Sequence, residues 1–191
     1  MQTPLQQIFL AFRDQCVWLQ ICFNMYSKLY ESEGASRVMS ATAPLFFHDL
    51  NRILIDYCLL QISRLTDPPR SMGRENLTVE HINEMLATEH RLTPAILAAS
   101  QELRNYRTLI IEARNRIISH ADKQTALDNL PLGEHSRTDV VKFFENLYRY
   151  VDEVGCAIDL GPLDFRSTSG PGDVVELLRY LKRAAEPPRG E

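Results

Sequence analysis

"LTPAILAASQELRNYRTLIIEARNRIISHADK", residues 92–123, is the stretch whose reading decides the fold. Thr93 is placed to accept a hydrogen bond from a free first-turn amide, and Pro94 sits where a missing N–H costs nothing, so a helix is predicted to start here. The spacing carries that helix to about residue 119, roughly 40 Å at ~1.5 Å per residue. Its apolar positions are Ile96, Ala99, Leu103, Tyr106, Ile110, Ala113 and Ile117. They alternate by three and four, which keeps one stripe turned toward a partner helix. The next member of the series is His120. An imidazole stands where another aliphatic side chain is due.

Arg107 and Arg114 border this seam, and Arg116 lies one helical turn before His120 and shares its side. On an ideal helix Arg114 and His120 point ~120° apart. They converge only if the helix loosens near His120 or if a second copy of the same helix supplies the missing half. The long seam also offers residues 95–119 as a dimer face. Two readings of the helix end stand at this point. A His and cations near a C-terminus interact favourably with the helix dipole, a contribution of about 0.3–1 kcal/mol. The same groups can instead form a reaction centre.

The rest of the chain reads as helices around this one. Residues 4–32 carry Leu5, Ile8, Phe12, Cys16, Leu19, Phe23, Tyr26 and Tyr30 at helical spacing, ended by "SEGAS". A second helix is predicted over 42–66, with Pro44 in its first turn and "DPPR" as its stop. "PPRSMGREN" reads as a loop, and Thr78 caps a short helix to about 89. After the loop "KQTALDNLPLGEH", Ser136 and Asp139 form a capping-box variant for a helix over 137–159. "GPLDFRSTSGPG" is a further loop, 173–185 a last short helix, and 187–191 a disordered tail. No repeat and no strand-period run is apparent. The expected architecture is all-α: an up-and-down bundle of four long helices with two additional short ones, in a single domain over 1–186.

Composition narrows the function classes. The chain has 191 residues, 45% hydrophobic and 24% charged, with a net charge of −4, an ordinary globular balance. That charge argues against a wholly basic nucleic-acid coat, although not against a local cationic cleft. Segment 64–74 has three Arg against one Asp, and 101–123 has five cations against three anions, so each is net +2. Cys16, Cys22, Cys58 and Cys156 show no CxxC spacing and are expected to act as small hydrophobes in a reducing cytoplasm. No signal-peptide pattern and no run of ~18 apolar residues occurs, so no membrane contact is expected. His48, His81, His90, His120 and His135 show no metal-ligand spacing, and no Gly-rich phosphate loop or G-x-S-x-G elbow is present. No metal and no cofactor are expected. His81 and His90 are expected to be solvated.

Arg114-Asn115-x4-His120 is similar to the motif of the HEPN superfamily: an Arg, a polar residue and, after a short spacer, a His late in a bundle helix. The wider order is more specific. "LLQISRLTDPP" (59–69), "ENLTVEHI" (75–82) and "RNRIISHADK" (114–123) together resemble the abortive-infection U-type branch of HEPN proteins. The resemblance covers roughly residues 45–125. It implies an all-α homodimer with paired motif helices, acting as a metal-independent endoribonuclease of a phage-defence or toxin–antitoxin type. The alternative is a non-catalytic HEPN module that binds RNA, a nucleotide or a protein partner. A purely structural bundle, with His120 only a cap, is the third. Related toxins coupled to a nucleotidyltransferase antitoxin carry Tyr two residues after the His, where this chain has Asp122.

Under the ribonuclease reading Arg114, Asn115 and His120 are the catalytic residues. His suits proton transfer because its unperturbed pKa of ~6.5 lies near working pH. Arg suits developing phosphorane charge because its planar fork donates two parallel hydrogen bonds. Asn115 can fix His120 or a phosphate oxygen through its amide. Arg107, Arg116 and Lys123 are candidates for the RNA backbone, as are Arg64 and Arg70, although Arg64 could equally neutralise the carbonyls of its own helix end. The expected partners are RNA, a second copy of the chain, and a cognate antitoxin or regulatory protein.

Overall fold

The structure, a computed structural model, describes residues 2–113, 136–166 and 170–185. Helix α1 (Pro4–Tyr30) starts on a capping box: the Thr3 hydroxyl accepts from the Gln6 N–H, and the Gln6 side chain accepts from the Thr3 N–H. Its buried stripe is Leu5, Phe9, Phe12, Cys16 and Leu19, again alternating by four and three. Helix α3 (Pro44–Thr66) begins with proline and ends where Asp67 turns to extended backbone, as a residue before proline must. Helix α5 (Pro94–Ala113) has the start read from the sequence, since the Thr93 hydroxyl accepts from the Ile96 N–H at 3.2 Å. Helix α6 (Arg137–Ala157) is capped by Ser136 and Asp139 in the expected reciprocal pair.

These four helices close a ring. α1 packs on α3, α3 on α5, α5 most extensively on α6, and α6 back on α1. The α5 residues Ile96, Ala99, Leu103, Tyr106 and Ile110 all point into the common core, against Phe143, Leu147 and Val151 of α6 and Leu59 and Ile62 of α3. The chain's own bundle therefore uses this part of the seam, and it is not a surface for a second copy. That corrects the dimer face expected from spacing. An apolar stripe records a partner helix without saying whose helix it is.

Short elements complete the fold. Helix α4 (Val79–Thr88) lies against α1, α3 and α5. It is pinned by Tyr150 of α6, whose hydroxyl reaches the Val79 carbonyl and the Asn83 side-chain oxygen, each at 3.0 Å. His90 closes α4 in the left-handed region at φ +56 and is exposed, as expected. His81 is instead half-buried, with Nδ1 shielded from solvent. Helix α7 (Val174–Ala185) packs on α1 and on helix α2 (Ala35–Thr42) around a second apolar cluster of Leu29, Met39, Phe47 and Leu54.

Two elements depart from the sequence reading. Helix α2 falls where only a helix stop and a connection were expected, and the loop 68–76 holds a small hairpin of β1 (Arg70–Ser71) and β2 (Arg74–Glu75). Among the described residues no helix is long and apolar enough to cross a membrane.

Candidate nucleic-acid interface

Asp67 is the organising residue at the end of α3. Its backbone stops the helix, and its carboxylate accepts from the Arg107 guanidinium of α5 at 2.9 Å. The two side chains are 23% and 27% exposed, so water screens the pair only in part. Arg107 Nε is fully shielded and has no hydrogen-bond acceptor among the described residues. The pair ties the end of the 59–69 segment to helix α5.

The 75–82 segment joins the 59–69 segment through Asn76. Its side-chain amide donates to the Pro68 carbonyl at 3.0 Å, and its backbone N–H donates to the Pro69 carbonyl at 2.7 Å. These bonds close the base of the hairpin. At its tip Met72 and Gly73 both have positive φ, +49 and +75, the backbone of a two-residue primed turn that matches strand twist. Thr78 then caps α4 through the His81 N–H at 3.2 Å. The proline pair, the Asn and the Thr of the motifs thus form one continuous turn.

Between this turn and α1 lies an open groove of about 500 Å³, lined by Gln15, Arg64, Asp67, Arg70 and Asn76 among others. Arg64 and Arg70 are exposed at its walls. The cationic character is weaker than the count over 64–74 suggests. Glu75, one residue beyond that segment, lies 4.0 Å from Arg70, and Glu84 of α4 lies 3.7 Å from it. Such exposed pairs add little stability, yet their carboxylates offset part of the positive charge that a phosphate would meet.

Of the residues singled out from the sequence, Arg64, Arg70 and Arg107 fall within the described part. Arg64 and Arg70 share the groove, while Arg107 is held behind it by Asp67. Arg114, Asn115, Arg116, His120 and Lys123 lie outside the described residues. Asn76 and the Asp67–Arg107 pair were not anticipated as site-building groups. The pair spans forty positions, and no local spacing signals it. Among the described residues no group of three His, Cys, Asp or Glu could hold a metal ion.

The ring of four long helices, with segments 59–69 and 75–82 meeting at the end of α3, defines a helical domain of the HEPN kind. The AbiU2 family model of HEPN proteins matches residues 2–177, and the chain belongs to that family. No curated protein and no solved structure matches the chain.

Proposed function

We propose that this AbiU2-family chain is a metal-independent endoribonuclease of a phage-defence or toxin–antitoxin type. The observation that carries the reading is the family match over 2–177, which spans Arg114-Asn115-x4-His120. The Asp67–Arg107 pair supports it, because a reaction centre needs its helix held in one azimuth.

In the proposed reaction the RNA 2′-hydroxyl loses its proton to one imidazole and its oxygen bonds to the adjacent phosphorus. The bond from phosphorus to the 5′-oxygen breaks, and a second imidazole protonates the departing oxygen. The products are a 2′,3′-cyclic phosphate and a 5′-hydroxyl. Two copies of His120 across a two-fold axis meet the need for both a base and an acid. Arg114 stabilises the equatorial oxygens, and Asn115 orients His120 or a phosphate oxygen. Arg64 and Arg70, on the groove beyond Asp67, extend the path for the RNA backbone.

The test is incubation of purified protein with mixed RNA in excess EDTA. Fragments ending in cyclic phosphate are expected, and RNA with methylated 2′-hydroxyls should stay intact. Retention of RNA without fragments would instead select the non-catalytic binding module.

A further inference from the structure

The hairpin of β1 and β2 carries a side chain that the fold does not use. Met72 and Gly73 at its tip both have positive φ, +49 and +75. Asn, Asp or Gly suits the first of these positions, and a Met is strained there. Packing returns nothing for that strain, since Met72 is fully exposed. The register sets what surrounds it. Arg70 pairs with Glu75 and Ser71 with Arg74, so alternation puts Arg70 on one face of the ribbon and Arg74 on the other. The charge of Arg70 is shared by Glu75 and Glu84. Arg74 is exposed and makes no ion pair with any described residue. Asn76 holds the base of the ribbon through Pro68 and Pro69, and the tip stands ~10 Å beyond Pro69 at ~3.3 Å per residue.

We propose that this hairpin is a base-reading finger for RNA, in which Met72 packs against unstacked bases and Arg74 binds an adjoining phosphate. The proposal deepens the ribonuclease reading and rests on it for RNA as the partner. The composition of the tip favours that partner over a protein. A protein interface gathers several apolar groups into one buried patch. Residues 70–75 hold one apolar side chain, Met72, with an arginine on each strand beside it. A nucleotide joins one apolar ring face to one negative charge, and a lone Met beside a cation matches that unit. The thioether suits the role because it is polarizable and makes favourable contacts with aromatic rings. Being unbranched, it can also enter between two adjacent bases.

Fluorescence anisotropy with the full-length chain and an unpaired RNA oligonucleotide tests the finger. The oligonucleotide carries methylated 2′-hydroxyls, so binding is read without cleavage. The wild type should bind, and Met72→Asn should bind about 10-fold more weakly, within the usual worth of one base contact. Asn tolerates the left-handed backbone, so amide exchange at 70–75 should be unchanged or slower. Hairpin integrity and RNA contact are thereby read apart. Met72→Leu keeps an apolar side chain and should bind like wild type. Arg74→Gln should lower the slope of log affinity on log salt by ~0.7, one phosphate of a single strand, while Met72→Asn should leave the slope as it is. No binding by wild type, or Met72→Leu as weak as Met72→Asn, overturns the finger. Equal affinity of Met72→Asn and wild type overturns it too, and leaves Met72 to a protein partner. Affinity that depends on Met72 in a chain that does not cleave unmodified RNA upholds the finger and sinks the ribonuclease. Cleavage of unmodified RNA with affinity indifferent to residue 72 does the reverse.

Discussion

The carboxylate of Asp67 has two tasks at once, and they can be separated by mutation. Asp67→Ala or Arg107→Ala leaves a partly buried charge or its hydrogen-bonding group without its partner, which should cost about 1–3 kcal/mol. The double mutant should recover part of that cost. A coupling energy near zero in chemical denaturation would show that the pair at 2.9 Å does not hold α5 to α3. Tyr150→Phe is a second probe at this scale. It removes the one hydroxyl that serves both Val79 and Asn83, so a loss of about 1–3 kcal/mol is expected on the same measurement.

Buried neutral groups also set the alkaline limit. Burial pushes the Cys16 thiol and the Tyr150 hydroxyl well up, and raises Cys58 to about 12. In the unfolded chain these groups ionise near their ordinary values, ~8.5 for Cys and ~10 for Tyr. The folded state thus holds more protons at high pH. Its stability is complete below ~8.5 and falls as pH rises from there toward the folded values. Denaturation midpoints should be level from pH 7 to 8 and decline above 9, with a smaller decline in Cys58→Ala. A midpoint that rises above pH 9 would contradict this assignment.

At the scale of elements, the hairpin at the groove depends on backbone geometry more than on burial. Both strands are exposed, and Gly73 sits at φ +75. A β-branched side chain is strained there by roughly 1–2 kcal/mol. Gly73→Val should therefore speed amide exchange at residues 70–75 while hardly changing global melting. Equal exchange in mutant and wild type would mean that the turn does not need its left-handed glycine. Two helix starts were legible because their signals are local: Thr93 with Pro94, and Ser136 with Asp139, each satisfy free amides within one turn. Helix α2 was not legible. It buries only Ala35 and Met39, and its start is the left-handed Gly34 with no side-chain cap, so neither periodicity nor capping chemistry marks it. Its stability comes from packing on α7, distant in the chain, and on its flanking helices α1 and α3. Tertiary pairing hides in the same way at the site. The motif segments could be recognised singly, but the meeting of 59–69 with 75–82 through Asn76, and with α5 through Asp67 and Arg107, is a property of the packed bundle.

For the whole molecule, the bundle brings the 59–69 and 75–82 segments together at the end of α3. The catalytic and capping readings of residues 112–123 rank the same substitutions differently. Under the catalytic reading, Arg114→Ala should lower cleavage on the order of 10²–10³-fold, as for other donors aimed at transition-state charge. Arg114→Lys should recover little, because an ammonium keeps the charge and loses the fork. Arg116→Ala, on the His120 side, should matter less than Arg114→Ala. Under the capping reading these changes should lower melting, with no cleavage to lose.

The most direct measurement is cleavage of mixed RNA in EDTA by wild type and His120→Ala, prepared side by side and matched in melting temperature and mass. The wild type should release fragments ending in 2′,3′-cyclic phosphate, and the mutant should cleave roughly 10²–10⁴-fold more slowly, the usual worth of a positioned acid or base. Equal rates for the two proteins, or no cleavage by either, would contradict the proposed ribonuclease.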